Sequence, residues 1–196
     1  MKLRGLYAIT PDGAADLESR LRRALEGGVA LLQYRSKTGS EMQARAVVRL
    51  AREFGVPVII NDEVQLALEL GADGAHLGRE DGDLGGARKR LQGRILGASC
   101  YNDAGLARAA VQAGADYVAF GSVFASPTKP QAVRAPLRLF QEAKALGVPL
   151  AAIGGITLDN APQVIAAGAD LLAVISDLFD APDIRQRARD YGKLFA

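Results

Sequence analysis

A chain of 196 residues, 49% hydrophobic and 23% charged, holds enough apolar material for one core and has the balance of an ordinary globular protein. The formal net charge is only +2, and its arginines are spread along segments such as 20–23 and 185–189 rather than clustered between aromatics, which excludes a nucleic-acid surface. Cys100 stands alone, excluding an intramolecular disulfide and any multi-cysteine metal site, and no segment reaches the roughly 20 apolar residues of a membrane span.

The opening residues run straight into an apolar strand at Leu6–Thr10 with no leader-like apolar core before it, so a cytoplasmic protein is expected. Leu17, Leu21, Ala24 and Leu25 then recur at helical spacing. Further strands are predicted at Ala30–Tyr34, Val58–Ile60, Gly74–Leu77, Ile95–Ala98, Tyr117–Phe120, Leu150–Ile153 and Leu171–Ile175. Most are continuously apolar, as parallel strands buried on both faces are. Helical periods separate them, for example Leu106, Ala109, Ala110 and Ala113. Gly71-Ala72-Asp73, Gly114-Ala115-Asp116 and Gly168-Ala169-Asp170 each stand between a helix and the next strand, where glycine supplies the left-handed cap. Gly28-Val29-Ala30 is a weaker copy. Such repetition favours a barrel or a doubly wound sheet. Eight units fit in this length only with short loops, and the loops are short. The expected architecture is α/β: a single (β/α)8 TIM barrel over residues 1–196.

Polar residues gather where strands end. Strand two ends in Gln33-Tyr34-Arg35-Ser36-Lys37, strand three in Asn61-Asp62, and strand four in Gly78-Arg79-Glu80-Asp81. Ser99 follows strand five, Ser126-Pro127-Thr128-Lys129 strand six, Gly154-Gly155-Ile156 strand seven, and Ile175-Ser176 closes strand eight. In a barrel these loops share the C-terminal face, where active sites lie. Arg35 and Lys37, two apart, would face one cavity if the strand geometry persists, and Lys129 makes a third cation for an anionic ligand. Asp62 and Asp81 suit a Mg2+–diphosphate complex, although Asp62 could equally cap the helix that follows it. Gly154-Gly155 lets a phosphate approach the backbone. Ser122–Ala135 is the one long loop and reads as a lid. His76, the only histidine, reads as a hydrogen-bonded residue of the barrel interior, and Cys100 as a small buried residue.

Six fragments in order resemble thiamine-phosphate synthases: Gln33-x-Arg35-x-Lys37, Ile59-Ile60-Asn61-Asp62, His76-Leu77-Gly78-x-Glu80-Asp81, Ser126 to Pro130, Ile153 to Ile156, and Val174-Ile175-Ser176. The resemblance implies a transferase that couples 4-amino-2-methyl-5-(diphosphooxymethyl)pyrimidine to 4-methyl-5-(2-phosphooxyethyl)thiazole by dissociative displacement, giving thiamine phosphate and pyrophosphate. It implies a pyrimidine–diphosphate site from Gln33, Tyr34, Arg35, Ser36, Lys37, Asn61, Ser99 and Lys129, with Arg35, Lys37, Lys129 and Ser99 serving the chemistry. Asp62 and Asp81 would hold Mg2+. Ser126, Pro127, Thr128, Gly155, Ile175 and Ser176 would hold the thiazole phosphate. Tyr34, Ser36 and Ser126 stand where leucine, glutamate and threonine are commoner. The partners implied are small molecules, with neither nucleic acid nor membrane, and a homodimer is left open. A thiazole tautomerase-like barrel and a non-catalytic binder of thiamine precursors are the alternatives; the tautomerase would make His76 central.

Overall fold

The computed structural model describes residues 3–14, 16–125 and 133–196. Strands and helices alternate: β1 (Gly5–Ile9), α1 (Leu17–Gly27), β2 (Leu31–Tyr34), α2 (Glu41–Glu53), β3 (Val58–Asn61), α3 (Val64–Leu70), β4 (Gly74–Leu77) and α4 (Leu84–Leu91). There follow β5 (Ile95–Tyr101), α5 (Ala104–Gln112), β6 (Tyr117–Phe120), α6 (Arg138–Ala143), β7 (Leu150–Ile153), α7 (Ala161–Ala166), β8 (Leu171–Val174), the four-residue α8 (Ser176–Phe179) and α9 (Ile184–Lys193). The strands are parallel and close in chain order, with β8 returning to β1 through Gly5 opposite Leu171 and Tyr7 opposite Ala173. The chain therefore folds as a (β/α)8 TIM barrel. Among the described residues no helix is long and apolar enough to cross a membrane.

The continuous apolar runs are explained by two cores. Alternate strand residues point to opposite faces. Leu6, Ala8, Leu32 and Ile60 turn outward to meet the helices, whereas Tyr7, Ile9, Leu31, Ile59, Tyr117 and Leu171 fill the barrel. Packed in this way the interior is solid at its lower end.

The Gly-Ala-Asp triplets do more than punctuate. Gly71, Gly114 and Gly168 adopt positive φ, as the turn into each strand requires. The aspartate then brackets one residue of the preceding strand. The carboxylates of Asp73, Asp116 and Asp170 accept the N–H groups of Val58, Leu96 and Leu150 at 2.8, 2.7 and 3.0 Å. Their own N–H groups donate to the carbonyls of the same three residues. Donors at the barrel floor that would otherwise be orphaned are thus paired. Replacing any one of these aspartates by alanine should cost about 1–2 kcal/mol, and asparagine, which keeps an acceptor, less. Urea midpoints will check this; losses of only a few tenths at all three sites would mean that water serves these N–H groups equally well.

Candidate active site

At the mouth, β2 stops at Tyr34, and the extended geometry does not continue to Lys37. The reason is Thr10, whose hydroxyl accepts the Arg35 N–H at 2.8 Å and donates to the Arg35 carbonyl at 2.9 Å. The chain then turns over Asp12, whose Oδ1 accepts from the Ser36 hydroxyl at 3.0 Å and the Lys37 N–H at 2.9 Å. These bonds, the Lys37 N–H first, hold the Asp12 carboxyl below its usual range. Ser36 also accepts the Gly39 N–H at 2.7 Å, so it organises the turn in its own right. Arg35 is half-buried, Lys37 exposed. Their placement at one mouth therefore comes from this turn and not from strand alternation. The Tyr34 side chain needs a correction too: alternation sends it into the outer layer, where its hydroxyl donates to Gln43 of α2 at 2.9 Å.

On the neighbouring strand ends, Asn61 Nδ2 donates to Asp62 Oδ2 at 2.5 Å, and Asp81 Oδ2 accepts the Gly78 N–H at 2.7 Å. Asp62 does not cap α3; it has φ 64°, and the cap position falls to Glu63, which makes no capping bond. Burial, then its hydrogen bond with Asp81 and that residue's negative charge, pushes the Asp62 carboxyl up to about 6, against the opposing pull of Arg35 and Asn61. A carboxyl raised in this way by the carboxylate beside it marks a pair short of a cation. Their hard oxygens fit Mg2+, which takes one or two carboxylates and completes its shell with water and phosphate. No larger group of ligating side chains occurs among the described residues. Tyr101, exposed at the end of β5, supports this corner: its hydroxyl accepts the Arg79 N–H at 3.2 Å and its ring lies under the Arg79 guanidinium.

Inside the barrel, His76 is buried and hydrogen-bonded as the sequence suggests. Nδ1 meets the Tyr117 hydroxyl and Nε2 the Ser99 hydroxyl, both at 2.8 Å. Burial lowers its pKa to about 4, so it is neutral at pH 7. Gln33 is buried as well and donates through Nε2 to the Tyr7 hydroxyl at 2.7 Å. Cys100 points into the outer core, where burial pushes its thiol up to about 12; it is no nucleophile.

Across the mouth, Gly154 and Gly155 have φ 101° and 63°. A Cβ on Gly154 would lie 2.1 Å from Ser122 Oγ, and one on Gly155 2.2 Å from the Ala125 carbonyl oxygen, so the β6 and β7 loops touch here. Val123 and Phe124 donate to the carbonyls of Ile153 and Gly154, each at 2.9 Å. Asn160 Nδ2 ties the Gly155 carbonyl down at 2.8 Å. The long loop has a closed neck, since Ser122 receives the Ala135 N–H at 2.9 Å. Ser126, Pro127, Thr128 and Lys129 lie outside the described residues. Ile175 packs against the inner core, and Ser176 is exposed at the start of α8, whose first N–H groups have no partner within the helix.

The structure thus brings Gln33, Arg35, Lys37, Asn61, Asp62, Asp81, Ser99, Gly155, Ile175 and Ser176 to the upper half of one barrel. Sequence reasoning missed Thr10, Asp12 and Tyr101, whose partners lie across loops, and Asn160, whose partners Gly155 and Thr157 lie in its own loop. It also passed over Tyr7 and Tyr117 as strand core, although two tyrosines inside a barrel must find hydrogen-bond partners.

Comparison with known proteins agrees with this geometry. Residues 6–178 match the family described as thiamine monophosphate synthase. The thiamine-phosphate synthase of Aromatoleum aromaticum is 61% identical, covering 99% of this chain and 97% of its own. That of Methylobacillus flagellatus is 53% identical over 98% and 96%. The solved thiamine phosphate pyrophosphorylase of Pyrococcus furiosus superposes with a TM-score of 0.87 at 33% identity, covering 99% of this chain and 96% of that one. The chain belongs to the thiamine monophosphate synthase family.

Proposed function

We propose that this barrel joins the pyrimidine diphosphate to the thiazole phosphate with the residue roles that follow. The observation carrying this is the Asp62–Asp81 pair set beside Arg35 at one side of the mouth, facing the glycine turn at the other. Asp62 and Asp81 would hold Mg2+, which when bound supplies positive charge to the diphosphate. Arg35 and Lys37, joined by Lys129 of the long loop, stabilise charge gathering on the leaving group. The bond between the methylene carbon and the diphosphate oxygen breaks with its electron pair leaving on pyrophosphate. The amine of the pyrimidine ring stabilises the resulting cation, and the lone pair of the thiazole nitrogen then forms the new C–N bond. No proton is removed, so no general base is required. Gly155 and Ser176, with Ser126, Pro127, Thr128 and Ile175, hold the thiazole phosphate so that this nitrogen lies in line. The solid barrel floor and the long loop keep water from the cation.

A tautomerase would need a proton-transferring base. Both nitrogens of the only histidine are engaged inside the barrel, which disfavours that reading. Purified protein incubated with both substrates should release thiamine phosphate and pyrophosphate in equal amounts with Mg2+ and none in excess chelator. Binding of both substrates without coupled product at saturation would reduce the chain to a non-catalytic binder.

A further inference from the structure

Five side chains form one unbroken hydrogen-bonded line through the barrel: Gln33, Tyr7, Tyr117, His76 and Ser99. The successive heavy-atom distances are 2.7, 2.6, 2.8 and 2.8 Å. Tyr7, Tyr117 and His76 are buried, so water offers them no alternative partner. The direction of the line follows from counting protons. Gln33 Nε2 can only donate, so Tyr7 accepts there and passes its own proton to Tyr117. Tyr117 in turn donates to His76 Nδ1. The neutral imidazole therefore carries its proton on Nε2 and donates it to Ser99. The Ser99 hydroxyl proton is left to point toward the mouth, where Ser99 is partly exposed. At the other end no donor among the described residues meets Gln33 Oε1, which remains an acceptor. Reversing one link alone would set two protons or two lone pairs against each other in a buried space, so the line reverses only as a whole.

We infer that Tyr7, Tyr117 and His76 are positioning residues that set the hydrogen-bond polarity of the substrate site, making Gln33 an acceptor and Ser99 a donor toward a ring carrying an amine next to a ring nitrogen. This rests on reading Gln33 and Ser99 as pyrimidine contacts. A 4-oxo ring presents the opposite pattern, acceptor toward Gln33 and N–H toward Ser99: at Gln33 two acceptors collide, and at Ser99 the ring N–H can be taken only on the remaining lone pair, with the hydroxyl proton turned away from the ligand. The three residues thereby turn a pair of contacts into one coupled test of the ligand's edge.

The test uses binding rather than turnover, because the amine also assists the chemistry. Calorimetric dissociation constants for the 4-amino and 4-oxo pyrimidine diphosphates, without thiazole phosphate, should differ by on the order of 10²-fold in the unaltered protein. Tyr117→Phe keeps the ring and cuts the line; the difference should shrink to about tenfold or less, with the thiazole phosphate KM unchanged. An undiminished preference in the folded variant would overturn the inference. A second measurement needs no variant. His76 is the only histidine, so the protein labelled with ¹⁵N-histidine gives a single imidazole to read. An Nε2–H tautomer is expected, and an Nδ1–H tautomer would overturn the polarity. This readout is independent of catalysis: an Nε2–H tautomer in a protein that couples nothing would keep the line and sink the synthase reading, while coupling with an Nδ1–H tautomer would do the reverse.

Discussion

Asp62→Asn should give a protein that is more stable without metal at pH 7 and nearly inactive with it. The Asp62 carboxyl is raised from its ordinary 3.8 to about 6, chiefly by burial and then by Asp81. Between those two pH values the native state holds more protons at this group than the unfolded chain does. Stability of the metal-free protein therefore falls as pH rises through that window, and the loss persists above it. Asparagine cannot ionise, so the variant escapes the loss at pH 7 and gains nothing below about pH 3.8. That burial is only partial and Asp62 still meets solvent at the mouth, so screening leaves a gain of roughly 1 kcal/mol, or about 2–4 °C in melting temperature. Activity should move the other way by on the order of 10²-fold or more, with a higher Mg2+ requirement, since the amide lacks the charge a hard cation needs. Melting curves in chelator at the two pH values, beside Mg2+ titrations of rate, read both halves. An equal shift at both pH values would show that ionisation is not its source, and wild-type rates at limiting Mg2+ would remove Asp62 from the metal site. Asp81→Asn should lower the Asp62 pKa only part of the way, because burial is the larger cause and remains.

The same residues show why the barrel was readable and parts of its mouth were not. Eight strands stand out in the sequence because most are apolar on both faces, and that is a property of the strand alone. Where a strand stops depends on a partner elsewhere. β2 ends at Tyr34 because a hydroxyl 25 residues earlier captures the next peptide. β5 runs on to Tyr101 through an irregularity between Ser99 and Tyr101, where its register with β6 shifts, while Cys100 follows Leu96 and Ala98 into the outer core. The cations at 35 and 37 were legible as residue types, but the turn that aims them depends on Asp12, which looks like any loop aspartate. Gly-Ala-Asp reads as a helix stop; the role of its aspartate appears only beside the strand it brackets. Tyr7 and Tyr117 lie 110 positions apart, so no local pattern announces that their hydroxyls meet.

Gly155→Ala should damage one half of the site and spare the other. Two penalties coincide at this position. A φ of 63° strains any residue with a Cβ. That Cβ would also fall 2.2 Å from the Ala125 carbonyl oxygen and 2.9 Å from Phe124 Cβ, backbone and near-backbone atoms that cannot swing away. The β6 loop must therefore retreat, taking with it the hydrogen bonds from Val123 and Phe124 to the β7 end. Because the thiazole phosphate is assigned to this turn, its KM should rise by on the order of 10²-fold, the scale expected when a positioning element shifts by about 1 Å. Pyrimidine diphosphate affinity, measured by calorimetry with Mg2+, should stay close to wild type, since Arg35, Asp62 and Asp81 stand on the β2, β3 and β4 ends. Gly147→Ala supplies the control: its φ is 72°, but nothing lies within 4 Å of the added carbon, so it carries the backbone strain without the collision. Gly147→Ala should lose stability and keep both substrate constants. If Gly155→Ala behaved like that control, the contact between the two loops would have no part in holding the acceptor, and the thiazole phosphate would have to be placed elsewhere on the mouth.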